Sequence, residues 1–304
     1  MVDSPKVLVV GAGGIIGQHM MEREPALKSP PIYTRRTLDN PLFDSLDITA
    51  DEWVVNKQLD EWDPDVIINL AGENRVDVVE ADPDAHYKVN VRGPLGLAWW
   101  CKRRGKKMIQ VSTQGIFSGE NAPYKPFDPS HPLTAYGKQK AELETSIWGF
   151  NQPQCEEDIG KRFITIARLT FVLGVRPLQE IGRRNPLEDM IEKPKQLQVD
   201  DRFFSPVFAH DAARVLWEEA LHPRDEGIFH IGIPRRVSRY MVAADLKYNL
   251  HGAINPDIQP ISHEYFAGIA ERPKDTTWAE GSRYYESYED GLITSYIQWK
   301  KLNK

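Results

Sequence analysis

Short apolar runs alternate with helical periodicity over the first half of the chain. Val7-Leu8-Val9-Val10 is uninterrupted and apolar, as in a strand buried on both faces. It ends at Gly11, and a helical pattern begins at about Gly14. Pro31-Ile32-Tyr33-Thr34 fits a second strand, and Thr49-Ala50-Asp51-Glu52 reads as a capping box opening a helix that runs through Trp62. Asp63-Pro64 breaks that helix, and Val66-Ile67-Ile68-Asn69 is the next buried strand. Asp82-Pro83 supplies an N-cap and first helical position for a helix to about Arg104, interrupted at Gly93-Pro94. Strands at 107–111 and 163–167 flank a helix over 134–148. This alternation predicts right-handed βαβ units and an α/β fold built on a doubly wound parallel sheet.

Beyond Val175 the pattern loosens and prolines recur, at Pro177, Pro186, Pro194, Pro206, Pro223 and Pro234. The expected organisation is a first unit over 1–174 and a smaller mixed α/β lobe over 175–304. The two interleave, because 227–232, with Gly227-Ile228-Phe229-His230-Ile231, reads as a strand returning to the main sheet. A length of 304 residues and a hydrophobic share of 41% allow the sizeable core this needs. Lys plus Arg is 38 against 44 for Asp plus Glu, a formal charge of -6, which argues against a nucleic-acid partner bound through phosphate neutralisation. No apolar run approaches the roughly 18 residues of a membrane span, and the N-terminal run is too short for a signal-peptide core. Cys101 and Cys155 cannot by themselves form a disulfide framework or a metal site, so the expectation is reduced thiols in a cytoplasmic protein.

Candidate chemistry begins at the first turn. Gly11, Gly14 and Gly17 have a G-x-x-G-x-x-G spacing between a strand and a helix. Glycine is needed where backbone turns tightly and where no Cβ can block a pyrophosphate. The helix start then offers free N–H groups and partial positive charge to the phosphates. Gly11, Gly13, Gly14, Ile15, Ile16 and Gly17 are therefore expected dinucleotide contacts; the alternative is a flexible glycine turn. The second strand should end near the adenosine ribose, where an acidic residue would favour NAD. Arg35 and Arg36 stand there instead, and a guanidinium pairs well with a 2′-phosphate, so NADP is favoured and NAD stays open.

Tyr136 and Lys140 stand at i, i+4 in Tyr136-Gly137-Lys138-Gln139-Lys140. A cation one turn away favours the phenolate and would draw the tyrosine toward working pH, for proton exchange with a carbonyl or alcohol oxygen. Val111-Ser112-Thr113 ends the preceding strand, the edge at which open parallel sheets bind ligands. Thr113 is the favoured hydroxyl for a substrate oxygen, with Ser112 as its neighbour.

Together these motifs resemble the extended short-chain dehydrogenase/reductase family, in its dTDP-4-dehydrorhamnose reductase branch. Leu46-Asp47-Ile48-Thr49, the run 63–69, Val89-Asn90, Ile116-Phe117, Ala167-Arg168-Leu169-Thr170, Val199-Asp200-Asp201, Ser205-Pro206, His210-Asp211 and Glu271-Arg272-Pro273-Lys274-Asp275 follow in that branch's order. The resemblance implies a Rossmann domain with a small C-terminal substrate lobe. It implies hydride transfer to a keto carbon, with Tyr136 delivering the proton and Thr113 polarising the keto oxygen of a nucleotide-linked 4-keto-6-deoxy sugar. Cofactor contacts carry over to Asp47, Ile48, Leu70, Ala71, Gly72, Asn90, Val111, Tyr136, Lys140 and Leu169. Substrate contacts carry over to Asn74, Thr113, Gln114, Phe171, Ser205 and Arg272.

The departures lie where substrate should be. Gln114-Gly115 lacks the acidic pair that sugar dehydratases of the family carry, which argues against dehydration. Glu73, Asn74 and Arg75 replace smaller or neutral residues, and Phe171 stands where a tryptophan is frequent. An epimerase of the same family is one alternative. Another is a regulatory subunit resembling the β subunit of methionine adenosyltransferase, which keeps the NADP fold and acts through a partner. A homodimer is compatible with either. Asp200, Asp201, His210 and Asp211 read as structural and substrate-lobe residues, with no metal expected. Lys102, Arg103 and Arg104 read as a solvated helix end. Trp278, Tyr284, Tyr285, Tyr288, Tyr296 and Trp299 read as packing and rim residues in preference to a base-stacking surface.

Overall fold

The computed structural model describes residues 4–37, 40–152, 162–224, 226–250, 254, 256–266 and 268–303; Cys155 lies outside them. In chain order the first half comprises β1 Val7–Val10, α1 Ile15–Glu22, β2 Ile32–Arg35, β3 Asp44–Ser45, α2 Glu52–Trp62, β4 Val66–Asn69, α3 Val76–Ala81, α4 Pro83–Tyr87, α5 Gly93–Arg104, β5 Lys107–Thr113, α6 Ala135–Phe150 and β6 Ile164–Leu169. There follow β7 Phe171–Leu173, α7 Pro186–Glu192, β8 Lys195–Val199, β9 Phe203–Phe204, β10 Pro206–Phe208, α8 Ala209–Leu221, β11 Ile228–Ile231, α9 Arg239–Asn249, β12 Asp257–Ile261, β13 Asp275–Thr276 and α10 Tyr288–Leu302.

A seven-stranded sheet runs β11-β6-β5-β4-β1-β2-β3, with every pairing parallel. Both faces are covered, which explains the uninterrupted apolar runs. Val7 and Val9 pack with Met20 of α1 and with Leu216 and Trp217 of α8. Leu8 and Val10 face the opposite layer, with Leu59 of α2, Leu97 of α5 and Leu143 of α6. Strand order reverses between β1 and β4, and this opens a crevice at their carboxyl ends. The chain does return to this sheet late, as Ile228 pairs with Ile166 and Ile231 with Leu169.

The lobe has its own core, including Leu173, Leu187, Phe208, Val242, Leu246, Tyr288 and Leu292. Its short parallel pairs are β10 with β7, β12 with β8, and β13 with β9. No helix of the described residues is long and apolar enough to cross a membrane.

Two local expectations change. The capping box at Thr49 does not form, because Asp47 accepts both the amide and the hydroxyl of Thr49, at 2.9 and 2.7 Å. Helix α2 instead starts after Asp51 without a side-chain cap. Gly93-Pro94 does not interrupt its helix either: a π turn over Lys88–Arg92 joins α4 to α5, with the Gly93 amide donating to the Lys88 carbonyl. That wide turn absorbs the proline. Gly93 itself is required for packing, since a Cβ there would lie 2.6 Å from the Ile48 carbonyl oxygen.

Candidate active site

The crevice between β1 and β4 is floored by glycine for steric reasons. Gly11 has φ +79°, and a Cβ on it would lie 2.7 Å from the Ala71 amide nitrogen. One on Gly17 would lie 2.4 Å from the Ala12 Cα, so α1 could not close on the loop. The Gly14 amide donates to the Gly11 carbonyl at 3.2 Å, and α1 begins with no side-chain cap. The amides of this first turn are thus left for an anion, and Gly14 is exposed. Arg35 reaches back over the loop, its Nε 3.7 Å from the position a Gly13 Cβ would take, while Arg36 points to solvent. Uncapped amides, a cradle without Cβ atoms and an adjoining guanidinium fit the diphosphate and 2′-phosphate of a dinucleotide. Ile15 and Ile16 are partly exposed beside them.

Opposite, Leu70, Ala71 and Gly72 lead out of β4, with the Leu70 amide donating to the Val10 carbonyl at 2.8 Å. Ile48 is buried against Gly93. Asn90 is buried with its amide engaged by protein: Oδ1 accepts the Glu73 amide at 2.8 Å, and Nδ2 donates to Gln139 at 2.9 Å. It ties the loop after β4 to α6 and so acts as a positioning residue.

Tyr136, Lys140 and Thr113 come together at the carboxyl end of β5. Thr134 caps α6 by accepting the Gly137 amide at 3.0 Å, and Glu80 accepts the Ala135 amide at 2.8 Å. A Cβ on Gly137 would lie 2.2 Å from the Gly115 carbonyl oxygen, so this glycine lets α6 dock on the turn after Thr113. The Tyr136 ring lies beside the Thr113 side chain, both within 4 Å of the position a Gly115 Cβ would take, and the Thr113 hydroxyl accepts the Gly115 amide at 3.1 Å. Ser112 points inward and donates to buried Glu144, while Thr113 stands on the Tyr136 side of the strand end. Lys140 is buried and donates to the Val111 carbonyl at 2.8 Å.

The electrostatics correct one expectation. Burial pushes the Tyr136 phenol up to about 12; the Thr113 hydroxyl beside it opposes the rise and the nearby Glu73 carboxylate adds to it. Lys140 does not draw it toward neutrality: burial lowers the lysine itself to about 8, against the pull of Glu144. The phenol is thus protonated across the neutral range. Glu73 is held below the usual carboxylate range by Arg75, which donates to it from Nε at 2.9 Å and from its backbone amide at 2.8 Å.

Among the substrate-side residues, Phe171 packs on Phe204 with ring centroids 4.7 Å apart. Asn74 is exposed and accepts from Arg183 at 3.3 Å, and Arg272 reaches Asp77 of α3 at 2.6 Å. The oxygen Oε1 of Gln114 is buried without a hydrogen-bond partner among the described residues. Ser205 is fully buried and its hydroxyl accepts the Trp278 amide at 2.8 Å, so it braces the lobe. Asp200 accepts from Ser238, Asp201 from Ser262 and His263, and Asp211 from the Tyr285 amide.

Sequence reasoning missed Gln18, Glu80, Gln139 and Arg183. Gln18 donates to the Gly13 and Ile181 carbonyls at 2.9 and 3.0 Å, which fixes the segment after β7 over the glycine loop. A glutamine on a helix gives no local sign of a partner 163 residues away.

Comparison with known proteins places this architecture. The chain is 27% identical over 284 residues to the methionine adenosyltransferase 2 subunit beta of Rattus norvegicus, covering 90% of this chain and 80% of that protein. It is 27% identical over 293 residues to the dTDP-4-keto-6-deoxy-D-glucose reductase of Streptomyces niveus, covering 96% and 93%. The crystal structure of a dTDP-4-dehydrorhamnose reductase from Clostridium acetobutylicum superposes with a TM-score of 0.81 at 25% identity, covering 97% of this chain and 99% of that one. The sequence profile of the RmlD substrate binding domain matches residues 5–282, and the chain belongs to that family, on the dTDP-4-dehydrorhamnose reductase branch of the short-chain dehydrogenase/reductases.

Proposed function

We propose that the protein is an NADP-dependent oxidoreductase that reduces a nucleotide-linked 4-keto-6-deoxy sugar. Residues 1–174 hold the dinucleotide and residues 175–304 hold the nucleotide sugar. Bound NADPH supplies the hydride. Gly11, Gly13, Gly14 and the first amides of α1 hold its diphosphate, and Arg35 recognises the 2′-phosphate. Lys140 fixes the nicotinamide ribose with the N–H groups left over from its bond to Val111. Thr113 hydrogen-bonds the keto oxygen and Tyr136 delivers a proton to it. The observation that carries the reading is the placing of Thr113 and Tyr136 side by side next to buried Lys140, at the sheet edge where the glycine crevice opens. A phenol held protonated at neutral pH suits the reducing direction, because the step consumes a proton.

Similarity to methionine adenosyltransferase β subunits over most of the chain favours a second reading, in which NADP is bound but the protein acts through a partner. NADPH oxidation, followed at 340 nm with a panel of 4-keto-6-deoxy sugar nucleotides, decides between them when run beside a pull-down with a methionine adenosyltransferase catalytic subunit. Turnover with any member of the panel supports the reductase. No turnover with a stable hetero-complex refutes it.

A further inference from the structure

The segment between β7 and α7 has a rigid root and a loose rim. Its ends meet: Asn185 Oδ1 accepts the Gly174 amide at 3.2 Å, and Asn185 Nδ2 donates to the Val172 carbonyl at 2.9 Å. A surface segment closed at its base in this way is an Ω-loop, a class that often carries function. At the root, Arg176 is paired with Glu188 at 3.1 Å, and both are buried. Arg176 Nη1 also donates to the Gln179 and Gly182 carbonyls, at 2.7 and 3.1 Å, so the loop is wound around this guanidinium.

The loop reaches across the dinucleotide crevice. On the β1 side, Gln18 accepts the Leu178 amide at 2.9 Å and donates to the Ile181 and Gly13 carbonyls, at 3.0 and 2.9 Å. Gly182, at φ +77°, comes so near that a Cβ on it would lie 2.9 Å from the Gly13 carbonyl oxygen. On the β4 side, Arg183 Nη2 donates to Asn74 at 3.3 Å. Gly13 belongs to the turn after β1 and Asn74 to the loop after β4, so one strap touches both sides of the opening. Its attachments are unequal. Leu178 and Ile181 are only partly buried against the core, and the Arg183–Asn74 bond is exposed, whereas Arg176 and Glu188 are nearly inaccessible. Segments that open locally are those with few buried contacts and solvent-exposed hydrogen bonds. The rim over the crevice meets that description and the root does not.

We propose that residues 174–185 are a gate over the dinucleotide crevice: the dinucleotide enters and leaves when the rim lifts from Gly13 and Asn74, and closure holds it in place. The inference rests on the dinucleotide reading of the glycine crevice, and it applies equally to a reductase and to a subunit that acts through a partner. Loosening the rim raises the open fraction both with and without cofactor. Association and dissociation therefore quicken together, because each is scaled by that fraction.

The test is stopped-flow fluorescence of NADPH binding to the full-length protein, with dissociation followed by displacement with excess NADP. Arg183→Ala and Asn74→Ala should each raise the association and dissociation rates about three- to tenfold, the equivalent of one hydrogen bond, with Kd changing less than either rate. The sign for Arg183→Ala is diagnostic, because loss of a cation on an anion's path would by itself slow association. A second measurement closes the gate covalently. Asn74→Cys/Arg183→Cys, made with Cys155→Ser and with Cys101 buried, is joined by a short bis-maleimide. Linked before NADPH is added, it should exclude the cofactor; linked afterwards, it should hold the cofactor through gel filtration. Association unchanged or slowed in both single variants overturns the gate, as does linked protein that exchanges NADPH at the unlinked rate. Failure of wild type to bind NADPH overturns the dinucleotide reading and the gate with it, whereas tight binding with strap-independent rates overturns the gate alone.

Discussion

Glu144→Gln probes the ion pair beneath the active site. Glu144 accepts from Arg168 at 3.1 Å from Nε and 2.6 Å from Nη2, and from Ser112, while both charged side chains are nearly inaccessible, at 7% and 6%. Arg168 also donates to the Pro126 carbonyl at 2.6 Å, so it is fixed on every side. Neutralising the carboxylate leaves a buried guanidinium uncompensated, which costs about 3–5 kcal/mol. At about 2 °C per kcal/mol for a chain of this length, thermal unfolding followed by circular dichroism should show a Tm lowered by roughly 6–10 °C. There is a functional corollary. The Glu144 charge opposes the fall of Lys140 to about 8, so its loss moves the lysine's deprotonation to lower pH. The alkaline limb of activity, set by loss of the ammonium as pH rises, should therefore begin earlier in the variant. Adding Arg168→Met removes the stranded cation and should recover much of the Tm. A variant melting within a degree of wild type, or a double variant as unstable as the two single losses summed, would refute the reasoning.

Other perturbations have equally definite outcomes. Gly17→Ala puts a Cβ 2.4 Å from the Ala12 Cα, and NADPH fluorescence titration should show affinity reduced at least about tenfold, with stability lowered by about 1–3 kcal/mol. Arg35→Ala should weaken NADPH about 10–100-fold while leaving NADH affinity unchanged, as loss of a charge-assisted contact predicts. Burial, reinforced by Glu286, pushes the Asp211 carboxyl up to about 7, above its ordinary 3.8. The folded state therefore binds that proton more tightly, and the group's stabilisation is full below about 4 and lost as pH rises through 7. Asp211→Asn, which still accepts the Tyr285 amide, should accordingly gain Tm relative to wild type between pH 4 and pH 8; a constant difference would contradict the assignment.

The legible parts of the fold were those in which local sequence is under a global constraint. A central strand with helices on both faces must be apolar at every position, so Val7–Val10 and Val66–Asn69 were readable as strands. Close backbone approach leaves no room for a Cβ at Gly11, Gly17 or Gly137, and only the first two are singled out by their spacing in the sequence. Strands β5 and β6 run past the apolar runs that predict them because their last residues keep backbone register across the sheet, Ser112 opposite Arg168 and Thr113 opposite Leu169. What could not be read depends on partners distant in the chain. Ser205 kept its motif but is turned inward by Trp278. Thr49 found a competing acceptor two residues back. The Tyr136 pKa follows from burial, which an i, i+4 spacing does not report. Glu73 was recognisable as out of place, yet its pairing with Arg75 and its action on Tyr136 needed coordinates.

The most direct measurement is the single-turnover rate of keto-sugar reduction in NADPH-loaded wild type and Tyr136→Phe. Removing only the phenolic oxygen should leave NADPH affinity intact and slow product formation about 10²–10⁴-fold, the range of a lost general acid. A phenylalanine variant that reduces the sugar within a few-fold of the wild-type rate would contradict the assignment of the proton to Tyr136.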